Sequence, residues 1–337
     1  MAVTLALKYR PATFEDVTEQ ASVISILQNQ VTTKTHKNCY LFTGSAGTGK
    51  TTTARIFANE LNAGKGTPIE VDGASNNGVE QVRIIIDQAK MRALDSEYKV
   101  YIIDECHALS NAAWQAMLKL IEEPPKNTIF IFCTTDPQKI PATILSRVQR
   151  YDYKKISLDG VIKRLNHILQ KEVEEGRNIK YEQPAIEYIA KIADGGMRDA
   201  ITLMDKCLSY SEELTTVNVL QALGSANYDI MVKLLEQILT KKLDEALIVI
   251  EEVYNSGLDL TQFVRQFWLF TLDVYKYALL KDFKYLQLPV TLQSELDTIV
   301  PQLNATLLTD LLELNNSLKR ETCVKQYVEA TLFNWLR

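Results

Sequence analysis

The sequence predicts an α/β fold followed by all-α domains, and three observations point to this class. Short, nearly continuous apolar runs recur before residue 155, as CYLFTG, IEVDG, KVYIID and TIFIFCTT. Such runs are typical of parallel strands buried on both faces, and amphipathic helical stretches lie between them. Beyond residue 157 the strand pattern ceases and helical periodicity continues. A chain of 337 residues is also too long for one ordinary hydrophobic core.

The element boundaries predict three domains. Residues 1–155 form the α/β domain, in which the helix NAAWQAMLKLIEE begins after Ser110 as its N-cap and ends at Pro124-Pro125. Residues 156–224 form a small helical domain, and residues 225–337 form a longer one. Glycine and proline punctuate the helical part at Gly176, Gly195, Gly196, Gly257, Pro289 and Pro301.

Composition narrows the possible functions. With 46% apolar and 23% charged residues, and no apolar run of about 18 residues, the chain reads as a globular protein without a membrane span or signal peptide. A net charge of −5 argues against coating nucleic acid by bulk electrostatics, although a local basic surface remains open. The isolated cysteines predict neither disulfides nor thiolate metal sites, and we expect Cys106 and Cys133 in or near the core. These observations predict a cytosolic protein.

The stretch GSAGTGKT, from Gly44 to Thr51, matches the pattern GxxxxGK[ST] between a predicted strand and a predicted helix. Its glycines allow successive backbone N–H groups to face phosphate oxygens, and the helix N-terminus adds a favourable dipole. Lys50 would reach the β- and γ-phosphates and Thr51 would hold Mg²⁺. The motif therefore predicts a nucleoside triphosphate site. Its expected binding residues are Gly44, Ser45, Ala46, Gly47, Thr48, Gly49, Lys50, Thr51 and Thr52.

Acidic and hydroxyl side chains follow two other predicted strands. In the stretch VYIIDECH, Asp104 and Glu105 lie at the carboxyl end of the predicted strand, where ligands of parallel sheets bind. Asp104 suits the Mg²⁺ shell and Glu105 suits polarising the attacking water. Thr134 and Thr135 end the next strand, and spacing alone leaves open whether a hydroxyl contacts the γ-phosphate. His107 has no metal-binding companion and is expected to be structural.

Two arginines have no evident partner in the sequence. Arg198 opens a helix after two glycines and is either a solvated residue or a phosphate ligand. Arg147 follows Ser146, and no acid lies within four residues of it. It is therefore either a solvated surface residue or directed at a group outside its own chain. An arginine that reaches the γ-phosphate of a neighbouring subunit raises turnover by about 10³ to 10⁵.

The order of these segments resembles the γ/τ subunits of the bacterial DNA polymerase III clamp loader, which are AAA+ ATPases. The resemblance is dense over residues 6–205 and looser over residues 226–337. It implies a RecA-like AAA+ nucleotide-binding domain, a helical lid carrying sensor 2, and a helical collar that mediates oligomerisation. The segments that carry it are KYRPATFEDV, GSAGTGKTT, VDGASNNGV, IIDECHALS, LKLIEEPP, CTTDPQKIPATILSR and GGMRDA.

The resemblance implies roles for single residues. Thr135 matches the sensor 1 position, and Arg198 matches sensor 2. Arg147 matches the arginine of a Ser-Arg-Cys motif that reaches the ATP of the adjacent subunit, although Val148 replaces the cysteine here. The cysteine has no part in phosphoryl transfer, so we expect the arginine to act. The segment that flanks the adenine in relatives matches Lys8, Tyr9, Arg10 and Pro11.

Relatives also grip the backbone of primer–template DNA, and most carry a cysteine-rich zinc module after the P-loop helix. In this chain only NAGKGTP joins NEL to IEVDG, so we predict no structural zinc. The sequence also lacks the proline-rich linker and extra domains of the longer members, so contacts made through them are not assigned. The residues that match DNA-contacting positions are Asn76, Arg83, Lys119 and Lys139.

The expected function is thus an ATPase motor subunit of a sliding-clamp loader, with ATP and Mg²⁺ as cofactors. Expected partners are delta-type and delta-prime-type subunits, further copies of this chain, a beta-type clamp and primer–template DNA, with no membrane. The expected location is cytoplasmic, at replication sites on the nucleoid. Two alternatives remain: another AAA+ DNA machine, such as a branch-migration helicase or initiator, and a nucleotide-binding scaffold that does not hydrolyse. No winged-helix module is evident for the first, and the intact Lys50, Thr51, Asp104 and Glu105 argue against the second.

Overall fold

The computed structural model describes residues 4–93, 95–223, 228–283, 286–304, 306–318 and 321–336. The chain divides into two compact units. The first runs to Lys171 and includes Ala193–Asp205; the second comprises Glu172–Ile192 and the chain from Lys206 onward. Within the described residues, every helix is too short or too polar to span a bilayer.

The first unit is built on a five-stranded sheet in which every pairing is parallel, with the order β2-β3-β4-β1-β5. The predicted apolar runs are confirmed as strands. The run IEVDG differs in one respect, because β2 lies at the sheet edge and its side chains alternate between half-buried and exposed. The strands are β1 Cys39–Thr43, β2 Ile69–Asp72, β3 Lys99–Asp104, β4 Thr128–Thr134 and β5 Gln149–Asp152.

Helices cover both faces of this sheet, because alternate side chains of each central strand point to opposite sides. On one face Leu41 and Phe132 pack with Trp114, in a core that also includes residues of α4, α5 and α6. On the other, Tyr40 and Phe42 pack with residues of α2 and α3. The helices are α1 Leu5–Lys8, α2 Ala21–Thr33, α3 Lys50–Leu61, α4 Val79–Ala89, α5 Asn111–Glu122 and α6 Ala142–Leu145.

The register brings the carboxyl ends of the strands to one edge. Thr43 of β1 pairs with Thr134 of β4 and with Asp152 of β5. Asp72 of β2 pairs with Asp104 of β3. Side chains that follow different strands are therefore close together at this edge, as parallel α/β sheets require of a ligand site.

The helical region follows. α7 Leu158–Glu174 and α9 Met197–Tyr210 contribute residues to both units, and one buried apolar cluster joins the later helices of the second unit. The prediction that strands cease after residue 157 was incomplete, because β6 and β7 form a parallel two-residue pair, too short to leave a sequence pattern. The remaining elements are β6 Lys180–Tyr181, α8 Gln183–Ile192, β7 Glu213–Leu214, α10 Thr216–Leu223, α11 Tyr228–Leu239, α12 Leu243–Asn255, α13 Leu260–Leu280, α14 Gln293–Ile299, α15 Leu307–Ser317 and α16 Val324–Leu336.

Local signals placed several helix ends correctly. The Ser110 hydroxyl accepts a hydrogen bond from the Ala113 N–H at 3.2 Å, as an N-cap does. α5 ends at Glu122, and its C-cap Glu123 directly precedes the two prolines; Gly176 follows α7 with φ of +100°. The predicted domain boundary at residues 224 and 225 lies outside the described residues, and the three-domain division stays a prediction.

Candidate nucleotide-binding site

The loop between β1 and α3 has a backbone that only glycine adopts easily. Gly44, Gly47 and Gly49 have φ of +149°, +71° and +98°. A Cβ at Gly44 would collide with the carbonyl oxygen of Tyr153, and a Cβ at Gly47 would lie 2.9 Å from the Cα of Gly196. The loop is therefore shaped by close backbone contact on two sides, and its Gly44 N–H donates to Thr134 O at 3.3 Å.

Lys50 is folded into this loop. Its Nζ donates to the carbonyl oxygens of Gly44 and Ser45, both at 2.8 Å, and the residue is only 6% exposed. Burial lowers the pKa of Lys50, while the nearby Glu105 and Asp104 act in the opposite direction. Within the described residues, the hydrogen bonds of this ammonium group go to two carbonyl oxygens, which an incoming phosphate can replace.

Thr51 and Asp104 form the next part of the site. The Thr51 hydroxyl donates to Asp104 Oδ2 at 2.7 Å, and the Glu105 N–H donates to Asp104 Oδ1 at 3.0 Å. A hydroxyl from the start of α3 and a carboxylate from the end of β3 thus meet at the sheet edge. Oxygen donors of this kind suit Mg²⁺, which binds proteins through few carboxylates and completes its shell with water and phosphate.

Glu105 is held at the same edge. Its backbone is left-handed, with φ of +45°, and its Oε2 accepts from the Thr135 hydroxyl at 3.2 Å. The Nδ1 of His107 lies 3.3 Å from that oxygen and 3.1 Å from the Thr134 hydroxyl. The prediction of His107 as structural did not anticipate this contact, because a lone histidine carries no spacing signal. Thr134 is fully buried and also accepts from the Asp136 N–H.

The segment before α2 and the start of α9 both reach the phosphate loop. Arg10 Nε donates to the Thr52 hydroxyl at 3.2 Å, and Met197 N–H donates to Gly47 O at 3.0 Å. Burial, chiefly, and the charges of Arg55 and Arg198 lower the pKa of Arg10. The positive charges of Arg55 and Arg198 thus act on Arg10, and a bound anion would relieve this repulsion.

Other members of the N-terminal segment are held by helix α7. The backbone carbonyl of Tyr9 accepts from Arg164 Nη2 at 2.9 Å, and Lys8 Nζ lies 5.1 Å from the centre of the Tyr9 ring. Pro11 continues this half-buried segment toward α2. The predicted adenine-flanking residues are therefore anchored on α7 and, through Arg10, on the phosphate loop.

Arg147 lies apart from these contacts. Its Nη2 is 2.8 Å from Glu122 Oε1, at the end of α5, and its Nη1 donates to Thr143 O and Ser146 Oγ at 2.7 and 3.0 Å. The prediction that Arg147 is either solvated or directed outside the chain overlooked this partner, which comes from a distant segment. None of its hydrogen bonds reaches the phosphate loop, Asp104 or Glu105.

The predicted DNA-contacting residues lie on the surface of the first unit and none bonds to another. The Asn76 side chain donates to Asp72 O at 3.0 Å. Arg83 pairs with Glu80 at 2.9 Å and Lys139 pairs with Asp136 at 3.2 Å. Lys119, exposed on α5, has no side-chain hydrogen bond or ion pair within the described residues.

Cys106 and Cys133 are buried, as predicted from the sequence. Cys39, Cys106, Cys133 and Cys207 are buried free thiols, whereas Cys323 is an exposed one. In the described part of the chain, no group of three or more His, Cys, Asp or Glu side chains is arranged to hold a metal. The absence of structural zinc stays a prediction.

Sequence models of three protein families match successive parts of the chain. That of the DNA polymerase III delta subunit matches residues 68–157. That of the DNA polymerase III clamp loader subunit ATPase lid domain matches residues 161–213. That of domain III of the DNA polymerase III subunits gamma and tau matches residues 214–323.

Solved structures support the fold. The Holliday junction branch migration motor RuvB of Thermotoga maritima superposes with a TM-score of 0.53 over 74% of this chain and 86% of that one, at 20% identity. At that identity the likeness shows the fold alone. Together with the phosphate loop and the acids at the strand ends, it defines the class: a P-loop protein with the AAA+ fold.

Sequence relatives specify the family. The chain is 35% identical to DNA polymerase III subunit tau of Bacillus subtilis, over 93% of this chain and 59% of the relative. It is 34% identical to DNA polymerase III subunit gamma of Buchnera aphidicola, over 76% of this chain and 74% of the relative. The chain therefore belongs to the gamma/tau family of DNA polymerase III subunits. It spans 42% to 59% of several longer relatives, among them tau of Escherichia coli.

Proposed function

We propose that this chain is an ATPase motor subunit of a sliding-clamp loader that serves a bacterial-type DNA polymerase III. The observation that carries the proposal is the connected set Thr51–Asp104 and Glu105–Thr135 beside the phosphate loop, within a chain of the gamma/tau family. A nucleotide-binding scaffold without hydrolysis has no need of this set. ATP is the substrate, and the nucleotide would lie along the loop between Arg10 and α3.

Binding would use groups that the fold already orients. Backbone N–H groups of the loop and the N-terminus of α3 face the phosphates, and Lys50 exchanges its carbonyl partners for phosphate oxygens. Thr51 and Asp104 would hold Mg²⁺, which when bound neutralises developing charge on the phosphates. Arg198, at the start of α9, would contact the phosphates as sensor 2.

Hydrolysis is an in-line attack of water on the γ-phosphorus, with the bond to the β-γ bridging oxygen breaking to leave ADP. Glu105 would accept a hydrogen bond from that water, and Thr135 holds the Glu105 carboxylate for this task. Positioning and fixed charge account for most of the catalysis in such reactions. Arg147 would complete the site of an adjacent subunit, because its own hydrogen bonds lie away from its own phosphate loop.

The proposed partners are delta-type and delta-prime-type subunits, further copies of this chain, a beta-type ring clamp and primer–template DNA. ATP binding between subunits would open the clamp, and DNA would trigger hydrolysis and clamp release. Asn76, Arg83, Lys119 and Lys139 would contact the DNA backbone, so binding should be sequence-independent and salt-sensitive. The proposed location is cytoplasmic, at replication sites.

The test measures ATP hydrolysis by the assembled complex, with and without clamp and primed DNA. We expect turnover to need both, and Arg147→Ala to lower stimulated turnover by about 10³ or more while ATP binding persists. Arg150→Ala is the matched control, since Arg150 is an exposed arginine on the following strand. Full stimulated turnover by a monomer would contradict the proposal.

A branch-migration or other unwinding motor is the second candidate, because the fold is shared with RuvB. Strand-separation assays on forked and four-way DNA distinguish the two. Unwinding without any requirement for a clamp would favour that candidate, and tight ATP binding without hydrolysis would favour a scaffold.

A further inference from the structure

The guanidinium group of Arg147 is held in a defined place within its own subunit. Glu122 Oε1 lies 2.8 Å from Nη2, Thr143 O lies 2.7 Å from Nη1, and Ser146 Oγ lies 3.0 Å from Nη1. A guanidinium group has five N–H donors. Glu122, Thr143 and Ser146 use three, which leaves Nε–H and one Nη2–H without a partner among the described residues. Those two donors remain for an external anion.

Glu122 and Arg147 are brought together because the segments that carry them pack into one buried core. Glu122 directly follows Ile121, which is 4% exposed, and Arg147 lies three residues after Ile144, which is 1% exposed. Both isoleucines belong to one buried core, and Val148 packs against the same core. The backbones that carry the acid and the arginine therefore cannot move apart without disturbing buried contacts.

We propose that Glu122 is a positioning residue for Arg147, holding its guanidinium ready for the γ-phosphate of a neighbouring subunit. The inference rests on the proposed function. An arginine loses rotamer entropy when its side chain is fixed, so fixing it before the neighbour arrives favours engagement. The Glu122 side chain is 46% exposed and that of Arg147 is 38% exposed, so the benefit is that of a surface pair rather than of a buried one.

The opposite role would be inhibitory, with Glu122 competing with the phosphate for Arg147. This role makes the opposite prediction. Removing a competitor would raise turnover, whereas removing a support lowers it. The two unused donors favour support, because phosphate oxygens can bind them while the bond to Glu122 stays in place.

The experiment compares Glu122→Ala with Glu123→Ala in the assembled complex with clamp and primed DNA. Glu123 is the adjacent exposed acid, and its carboxylate has no hydrogen bond or ion pair within the described residues. We expect Glu122→Ala to lower kcat about two- to five-fold with an unchanged KM for ATP, and Glu123→Ala to leave both unchanged. Glu122→Gln, which keeps the oxygen acceptor, should recover part of the loss.

The Arg147→Ala background separates this inference from the proposed function. If Glu122 acts through Arg147, then Glu122→Ala has no further effect there. The positioning role would be overturned if Glu122→Ala lowered turnover equally in the Arg147→Ala background and in the unchanged protein. It would also be overturned if Glu122→Ala and Glu123→Ala lowered turnover equally, or if Glu122→Ala raised turnover. If Arg147→Ala leaves stimulated turnover unchanged, the proposed contribution of Arg147 to hydrolysis is wrong, whatever the effect of Glu122→Ala.

Discussion

The pair formed by Thr51 and Asp104 shows how single residues join separate strands into one site. Thr51 follows β1 and Asp104 ends β3, yet their side chains meet at 2.7 Å. Each provides an oxygen, and the carboxylate also accepts the backbone N–H of Glu105. The metal-binding role proposed for this pair therefore requires the hydroxyl as well as the negative charge.

Replacing Thr51 tests this requirement. Thr51→Ala should weaken Mg²⁺-dependent ATP hydrolysis about 100-fold or more, since a group that orients charge in the transition state is lost. Thr51→Ser keeps the hydroxyl and should retain most of the activity. The measurement is hydrolysis as a function of Mg²⁺ concentration, with fluorescent-nucleotide binding as the control for folding. Equal activity of the Ala and Ser variants would argue against metal binding by Thr51.

At the scale of elements, the start of α9 rests directly on the phosphate loop. The Met197 N–H donates to Gly47 O, and the backbones of Gly47 and Gly196 are too close for a side chain between them. α9 also carries Arg198, so the loop and the arginine proposed as sensor 2 are positioned by one contact. A change in the loop that displaces α9 should therefore affect nucleotide binding.

Gly47→Ala tests that coupling. Its φ of +71° makes a side chain strained by about 1–2 kcal/mol, and its Cβ would also lie 2.9 Å from Gly196 Cα. Gly64 is a matched control, because its φ of +77° imposes similar strain while nothing lies within 4 Å of its Cβ. Gly64→Ala should lose only the stability that its backbone strain costs, whereas Gly47→Ala should lose more stability and also ATP affinity, as measured by urea unfolding and fluorescent-nucleotide titration. Equal affinities would show that the contact is dispensable.

At the scale of the whole molecule, each unit has its own apolar core, and each unit contains at least one buried thiol. Cys39 lies in the sheet core and Cys207 lies in the second unit. Burial raises the pKa of Cys39 from 9.0 to about 12 and that of Cys207 from 9.0 to about 11. Burial likewise raises the pKa of Cys133 and Tyr153. These groups stay neutral in the folded chain at a pH where they ionise in the unfolded one.

Stability should therefore fall in alkali. For Cys39 the stabilisation is complete below pH 9 and is lost as the pH rises from 9 towards 12, because only the unfolded thiol releases its proton there. At pH 10 this group alone lowers the free energy of unfolding by about 1.4 kcal/mol. Urea unfolding at pH 8 and pH 10 measures the change, and Cys39→Ala should reduce it. An unchanged difference in that variant would mean that other groups cause the loss.

The sequence by itself determined strands β1 to β4 of the sheet, the phosphate loop with Lys50 and Thr51, and the acids Asp104 and Glu105. These features depend on local patterns: continuous apolar runs, glycines at fixed spacing, and acids directly after a strand. The edge position of β2 was not evident, because the order of strands depends on pairing between distant segments.

Only the tertiary structure decided which side chains surround the predicted ones. His107 meets Glu105 and Thr134, and Glu122 meets Arg147, through packing that brings separate elements together. A search for acids within four residues of Arg147 finds none, whereas the end of α5 supplies one. Such contacts depend on how the buried faces pack, because this packing fixes where the exposed side chains next to them lie. No local sequence pattern shows that packing.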